Sequence, residues 1–220
     1  MPPQLLIQGV NIVVLARLTP TIFHPAWFAA QNLMRQQEAD VADIKILQPA
    51  AAMFKMEWLQ MTVLPDRLQA ATVEEGFYEV LRDLVIGIFE LLNHTPVTAF
   101  GINRDFHYQL ESEKAWHKLG DRLTPKGEWQ KILNQPGMRS LVIEGKRPDN
   151  LEGYTQVKVE PSPRAPSSVY VEINDHYDLA SSKTGKSADR LTEILASNWQ
   201  LSMSRAINIA QLISELGEEK

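Results

Sequence analysis

The chain has 220 residues, of which 44% are hydrophobic and 22% are charged, and its formal net charge at pH 7 is −5. This length and balance fit one large domain or two closely packed halves around a sizeable core, and the acidic charge disfavours a nucleic-acid-binding protein, which usually carries a basic surface. The absence of cysteine excludes disulfide bonds, thiolate nucleophiles and zinc sites that contain cysteine.

The first half of the chain indicates one strand, a short helix and a second β region. The segment from Gln4 to Leu18 is rich in valine, isoleucine and leucine and lacks helical spacing of its polar residues, which indicates a strand. A proline suits the first turn of the short helix, which we place at about Pro25–Arg35. The β region from Ile44 to Val73 is broken near Pro49 and at Pro65, which predicts two or three strands.

An amphipathic helix is predicted from Phe77 to Asn93. On a wheel of about 100° per residue, its apolar residues cover one broad arc and its charged residues fill the opposite one. Gly87 lies on the apolar side, where we expect a strand to approach the helix closely. The apolar arc comprises Phe77, Val80, Leu81, Leu84, Val85, Ile88, Leu91 and Leu92.

The second half of the chain repeats this order of elements. A strand is predicted from Val97 to Leu110, and a helix follows from Glu113 to Leu133, with Pro125 as a point of interruption. A long helix from about Ala188 to Leu216 closes the half. Between the two helices the predicted strands are Ser140–Glu144, Tyr154–Glu160 and Ser168–Asn174.

The two halves also share a short sequence pattern. When Gly9 is aligned with Gly101, the stretch Gly9-Val10-Asn11 meets Gly101-Ile102-Asn103. Because duplication determines architecture, we interpret residues 1–95 and 96–220 as two diverged copies of one strand–helix–strands–helix unit that pack as one domain. A chance likeness between two ordinary α+β stretches is the alternative.

The order of elements predicts the α+β class. A strand, a helix, two to four antiparallel strands and a closing helix, present twice, resemble the fold of the TATA-binding protein, whose two halves form a saddle. The resemblance covers the element order of the whole chain and implies architecture only, because fold does not carry function. It implies a curved antiparallel sheet with the helices packed on one face and the other face left open or paired.

Alternation along the first strand of each half assigns its residues to the two faces of this sheet. We expect Val10, Ile12 and their counterparts in the second half to face the helices, although Arg104 among those counterparts is a misfit that warns of a slipped register. The other face is then apolar in the first half and polar in the second. Its candidate binding residues are Val13, Leu15 and Arg17 in the first half and Asp105, His107 and Gln109 in the second.

One short motif resembles the end of a phosphate-binding loop. It is Thr184-Gly185-Lys186-Ser187, which precedes the last predicted helix. A true loop of this kind requires a glycine five residues before its Gly-Lys pair, and that position is Ala180 here. We therefore expect a loop in which Ser187 caps the last helix.

Histidines and carboxylates gather in two places along the chain. Asp105 and His107 would project from the same face of a strand, a spacing that metal sites use. The second gathering is Asp175-His176-Tyr177-Asp178, which we expect to end a strand, and His117 lies in the predicted helix between them. Because no third ligand can be identified, no metal is expected.

Two further groups of side chains have alternative interpretations. Phe54, Met56 and Trp58 alternate along one strand, which favours core packing over an exposed Met and aromatic patch for a partner. Asn198 and Arg205 fall on the mostly apolar side of the last helix. Each is either a buried polar anchor or a contact with a second subunit.

The absence of a catalytic motif and the expected open sheet face favour a non-enzymatic binding protein, an adaptor or inhibitor-like protein that binds another protein or a second copy of itself. A nucleic-acid-binding protein with a saddle-like sheet is one alternative. Another is a small-molecule-binding protein or enzyme with a pocket between sheet and long helix, using Asp105, His107 or His176. We expect no cofactor. Without a signal peptide or membrane-spanning stretch, a cytoplasmic protein is expected.

Overall fold

The protein is an α+β fold built on one antiparallel sheet; the computed structural model describes residues 2–180 and 186–218. These ranges contain nine strands and five α-helices, and none of the helices is both long and apolar enough to cross a membrane. The strands are β1 (Gln4–Ala16), β2 (Asp43–Gln48), β3 (Ala51–Lys55), β4 (Gln60–Leu64), β5 (Arg67–Thr72), β6 (Val97–Gln109), β7 (Leu141–Lys146), β8 (Gly153–Pro161) and β9 (Ser168–Asp178). The helices are α1 (Pro25–Ala30), α2 (Gln36–Asp40), α3 (Tyr78–Leu91), α4 (Glu113–Leu123) and α5 (Ser187–Ser214).

The nine strands form a single sheet in the order β2-β3-β4-β5-β1-β6-β9-β8-β7. β1 and β6 lie at its centre and pair with each other over most of their length. β5, the last strand before α3, pairs with β1, and β9, the last strand before α5, pairs with β6. The other four strands of residues 1–95 therefore lie on the β1 side of the central pair. The other three strands of residues 96–220 lie on the β6 side.

The β region of the first half contains four strands, so the prediction of two or three strands was too low. The breaks near Pro49 and Pro65 are present, but a further turn connects β3 and β4, where the Met56 N–H donates to the Leu59 carbonyl at 2.8 Å. That turn, Met56-Glu57-Trp58-Leu59, contains no glycine, proline or asparagine. Because these are the residues that mark turns in a sequence, the turn left no signal there.

Two of the predicted helices are shorter than expected. The helix predicted at Pro25–Arg35 ends with α1, and beyond it Asn32 adopts a left-handed backbone conformation with a φ of 58°. The helix predicted to begin at Glu113 ends with α4, because Thr124 is extended, with φ −135° and ψ 86°. Thr124 precedes Pro125, and the proline ring disfavours helical backbone at the residue before it.

All the helices whose buried side chains contact the sheet pack on one face of it, which we call the core face and which carries Ile12 of β1. α3 and α5 contact each other and lie over the central strands. Phe28 of α1 contacts Phe54 of β3, with 5.6 Å between the ring centroids, and Leu119 of α4 packs in one cluster with Phe106 of β6. Each of these buried side chains stabilises the fold by about 1.5–3 kcal/mol.

The amphipathic helix predicted from Phe77 corresponds to α3, with its buried arc slightly rotated. Phe89 is buried, whereas Val80 and Leu91 are 43% and 46% exposed. The close neighbour of Gly87 is Leu33 in the connection between α1 and α2, rather than the strand that we expected. A Cβ at Gly87 would lie 2.5 Å from a methyl carbon of Leu33.

The start of α5 differs from the expected helix cap. Residues 181–185 lie outside the described residues, and with them the Thr184-Gly185 part of the predicted loop motif. Ser187 is the first residue of the helix, and Lys186 occupies the cap position. The Ser187 hydroxyl oxygen instead accepts a hydrogen bond of 2.9 Å from the N–H of Val97, which ties the start of α5 to the start of β6.

Candidate functional site

Five of the six candidate binding residues lie on the sheet face opposite the core face. Residues directly opposite each other on paired strands share one face, and alternate residues along a strand share it too. We call this surface the open face. Arg17, the sixth candidate, lies beyond the end of β1, is exposed, and donates its backbone N–H to the Pro96 carbonyl. On the central strands the open face carries Asn11, Val13 and Leu15 of β1 and Asn103, Asp105, His107 and Gln109 of β6.

The candidate residues of the two halves do not meet on the open face. Val13 pairs with Gly101 of β6, whereas Asp105 pairs with Gly9 of β1. Because β1 and β6 are antiparallel, equivalent positions of the two strands lie at opposite ends of the pair. Val13 and Asp105 are therefore separated by four residues along the sheet, which is roughly 13 Å. The apolar group and the polar group form two separate patches.

Two glycines make room for polar side chains at the centre of the open face. A Cβ at Gly9 would lie 2.9 Å from a carboxylate oxygen of Asp105, and a Cβ at Gly101 would lie 2.7 Å from the amide oxygen of Asn174. Between them, the side-chain amide of Asn103 donates to the backbone carbonyl of Asn11 at 3.2 Å. The glycine of the repeated Gly-hydrophobic-Asn pattern thus lets a neighbouring strand place a polar group over the backbone.

Burial governs the electrostatics of Asp105 and His107. It raises the pKa of Asp105, against the opposing charges of Arg104 and Arg164. It lowers the pKa of His107, and the positive charge of Arg164 lowers it further. The His107 ring nitrogen Nδ1 forms a 2.7 Å hydrogen bond with the hydroxyl of Ser162, which ties the loop after β8 to β6.

The two sides of the open face differ in charge. On the β9 side the Tyr170 hydroxyl donates to Glu172 at 3.0 Å, and Lys158 forms a 2.9 Å ion pair with Glu160. Burial and then the charge of Glu172 raise the pKa of Tyr170. The β5 side is made of small, apolar and uncharged residues, with Lys55 and Arg67 towards its rim, where Asp43 pairs with Lys55 in register and Asp66 lies 3.5 Å from Arg67. It comprises Ala51, Met53, Lys55, Gln60, Thr62, Leu64, Arg67, Gln69 and Ala71.

The histidines and carboxylates singled out in the sequence do not converge on a metal site. Asp175 faces the core, and His176 faces the open side, where its ring stacks on Tyr154 at 4.4 Å. His117 is exposed on α4, with Glu113 3.6 Å away. Across residues 2–180 and 186–218, no three such ligands are placed to hold a metal ion together. β9 continues through this cluster to Asp178, so the strand predicted to end at Asn174 was too short by four residues.

Arg205 is a partly buried polar anchor, which agrees with the first of the two alternatives for its place in α5. Its guanidinium donates to both carboxylate oxygens of Asp175 at 2.8 Å. Arg147 completes the cluster by binding Asp149 and lying 3.5 Å from Asp175, with its guanidinium 3.7 Å from the ring of Tyr177. Two cations and two anions balance each other here. The cluster joins the β7–β8 loop, β9 and α5, and we interpret it as structural.

Arg104 does not belong to this cluster, and in the sequence it is only a misfit on the expected core face. The register did not slip; Arg104 lies on the core face with a side chain that is 1% exposed. It donates to the Gln8 amide oxygen at 2.6 Å and to the Met203 sulfur at 3.7 Å, and its guanidinium lies 4.6 Å from the ring centroid of Tyr78. Burial lowers the pKa of Arg104. The sequence signal for the site around Arg104 is a charged residue on the core face of a central strand.

A cavity of about 400 Å³ adjoins Arg104 between the sheet and α5. The open face and this cavity are the two candidate binding regions, and they lie on opposite faces of the same sheet. Ser162 and His107 are in hydrogen-bond contact on the open-face side, but among the described residues no carboxylate hydrogen-bonds the other ring nitrogen of His107 to orient it as a base. No protein-family model and no curated protein matches this chain.

Proposed function

We propose that this chain is a non-enzymatic binding protein of the cytoplasm, an adaptor or inhibitor-like protein that receives its partner on the open face. The observation that carries this proposal is a face of the nine-strand sheet on which none of the described helices packs. The helices of the described ranges that contact the sheet lie on its core face, while open-face residues such as Val13, Leu15 and Asn174 remain partly exposed. Broad surface of mixed polar and apolar character, left free by the chain's own helices, is typical of a site for a partner.

The proposal also includes a duplicated, saddle-like architecture. Residues 1–95 and 96–220 are diverged copies, arranged like the halves of a saddle around a curved sheet, as in the TATA-binding-protein-like resemblance. The central register supports this arrangement, because Asn11 pairs with Asn103, while Gly9 pairs with Asp105 and Val13 pairs with Gly101. When Gly9 is aligned with Gly101, Val13 aligns with Asp105, so the pairing is reciprocal. A local two-fold axis through the asparagine pair produces this register.

A second copy of the chain is the partner that the charges of the open face favour. Lys55 and Arg67 are exposed on the β5 side, whereas Asp105 and Glu172 pair in register on the β9 side. For two open faces packed on each other, a two-fold axis that exchanges the β5 and β9 sides places the basic side of one molecule over the acidic side of the other. Complementary charges of this kind select a partner and fix its orientation. The same carboxylates repel phosphates, which gives the nucleic-acid alternative less support.

Charge exchange tests this proposal. Arg67→Glu and Glu172→Lys are each expected to weaken a dimer about tenfold, as measured by sedimentation equilibrium, and the double variant is expected to recover it. Glu90→Lys serves as the matched control, because Glu90 is exposed on α3, on the other side of the molecule. A chain that stays monomeric at millimolar concentration contradicts the proposal. An electrophoretic shift of DNA or RNA at low salt, lost steeply with added salt, would favour the alternative instead.

A further inference from the structure

Arg104 is a buried cation without a buried anion. Its side chain makes no ion pair within the part of the chain that the structure describes. Arg147 shows how the same protein accommodates a buried guanidinium elsewhere, because Asp149 and Asp175 neutralise it. An unpaired charge is costly to bury, so buried arginines are normally paired with carboxylates. The exception at Arg104 points to an anion from outside the described residues.

The guanidinium of Arg104 has unused hydrogen-bonding capacity. It carries five N–H donors, of which one donates to the neutral amide oxygen of Gln8 and one to the weakly accepting sulfur of Met203. The Nε–H has no partner among the described residues, and neither does the hydroxyl of Tyr78, whose ring lies beside the guanidinium. Two buried donors thus remain without an acceptor at the same place.

The cavity beside these donors has the size of a small-molecule site. Its volume of about 400 Å³ falls within the usual range of ligand pockets, roughly 300–1,000 Å³. Aromatic and aliphatic side chains form about half of its wall, and polar side chains form the rest, among them Glu75 and Glu79 where α3 begins. The apolar part of the wall comprises Leu5, Tyr78, Phe106, Tyr108, Met203 and Ile207.

Gln8 acts as a stand-in for the missing anion. Its amide oxygen accepts from Arg104 at 2.6 Å, and its amide nitrogen donates to Glu75 at 3.4 Å. Gln8 is partly exposed and lies on β1 before the first residue that pairs with β5, Val10. An incoming ligand oxygen can therefore replace the Gln8 oxygen on the guanidinium without breaking the sheet.

We propose that this cavity, the Arg104 cavity, binds a small monocarboxylic acid with an apolar or aromatic body. The carboxylate takes the place of the Gln8 oxygen on Arg104, because a planar carboxylate matches the two parallel N–H groups of a guanidinium. It also accepts a hydrogen bond from Tyr78. Glu75 and Glu79 disfavour a doubly charged phosphate, and the apolar wall holds the body of the acid. The site lies on the core face and does not depend on the function proposed for the open face.

A matched pair of ligands tests the proposal. Sodium 3-phenylpropionate and its neutral amide have nearly the same shape and differ in charge. The acid is expected to raise the melting temperature of the protein with increasing concentration, because a ligand of the native state stabilises it. Titration calorimetry is expected to give at least about tenfold tighter binding for the acid than for the amide. Equal binding of the two, or no response to the acid at millimolar concentration, would overturn the proposal, and inorganic phosphate is expected to produce no shift.

Two conservative variants locate the binding site. Gln8→Glu places a carboxylate of the chain itself on Arg104, so it is expected to raise the melting temperature and to weaken binding of the acid more than about tenfold. Tyr78→Phe removes the free hydroxyl and is expected to weaken binding about tenfold. The matched controls are Gln69→Glu and Tyr154→Phe on the open face, which are expected to bind the acid like the unchanged chain. Unaltered binding in Gln8→Glu would contradict the proposal even if the acid binds.

Discussion

The two buried arginines provide the sharpest stability comparison in this fold. Arg104 and Arg147 are 1% and 7% exposed, and both lie against aromatic rings. Replacing each of them by methionine keeps most of the side-chain volume and removes the charge. We expect the two changes to have very different effects, because the charges around the two arginines differ.

Arg147→Met is expected to lower the free energy of unfolding by about 3–5 kcal/mol, which is typical when one partner of a buried ion pair is removed. The change leaves Asp149 without its closest cation and removes a donor to the His176 carbonyl, while Asp175 keeps its bonds to Arg205. Arg104→Met leaves no carboxylate without its partner. It loses a contact with the Tyr78 ring, worth about 0.5–2 kcal/mol, and it avoids the cost of burying an unpaired charge. We therefore expect a change of at most about 1 kcal/mol, in either direction.

The dependence on pH adds a second check to the Arg147 comparison. Burial raises the pKa of Asp149, but the hydrogen bond and charge of Arg147 outweigh it and hold the pKa below its usual value. The stabilisation from Asp149 is then complete above the unfolded-state pKa of about 3.9 and is lost as the pH falls through the lower folded-state pKa. The deficit of Arg147→Met should be largest near pH 7 and should shrink below about pH 4.

Urea denaturation followed by circular dichroism measures these differences for both variants and the unchanged chain. A cost for Arg104→Met as large as that for Arg147→Met would refute the reasoning, because it would mean that Arg104 is held by its internal partners after all. A loss of less than about 1 kcal/mol in the free energy of unfolding for Arg147→Met would also refute the reasoning, because it would mean that the ion pairs of Arg147 contribute little.

Two more predictions concern backbone space and buried histidines. Gly153 has a φ of 128°, and a Cβ there would clash with the His176 carbonyl, so Gly153→Ala should cost about 3 kcal/mol or more in urea denaturation. Gly145→Ala in the neighbouring strand, with nothing within 4 Å of its Cβ, is the control, and equal costs would contradict this explanation. Burial lowers the pKa of both His107 and His176, so their stabilising effect is complete above the unfolded value of about 6.5 and declines below it. The urea concentration at the unfolding midpoint should therefore decrease when the pH is lowered from 7.5 to 6.0. An increase would show that the histidines are not buried as neutral groups.

Alternation and periodicity allowed much of the sheet and core to be predicted from the sequence. Val10, Ile12 and Val14 are buried, and the polar row at Asp105 and His107 lies on the opposite face. These features depend on local order along the chain, which a sequence displays directly. The turn between β3 and β4 lacks the usual turn residues, so packing decides it and the sequence does not, whereas the break after α1 lies at Asn32, a residue type that favours turns.

The candidate sites could be predicted less well, because they depend on long-range neighbours. Arg147 and Arg205 are far apart in the sequence and meet only through Asp149 and Asp175. In the sequence, Arg104 has the pattern of a register error, because the residues that surround it in the fold, Gln8 and Met203, are far from it along the chain. A sequence shows that a charge lies on a buried face, but whether another charge compensates it depends on the fold.

A single thiol on the open face gives the most direct test of the proposed binding surface. The chain has no cysteine, so the variants Leu15→Cys and Leu212→Cys each carry one reactive group, the first on the open face and the second 66% exposed on α5. If two copies associate through the open face, maleimide labelling of Leu15→Cys should slow as the protein concentration rises, while labelling of Leu212→Cys should not change. Labelling rates that are independent of concentration at both sites, or a slowing at Leu212→Cys alone, would contradict association through the open face.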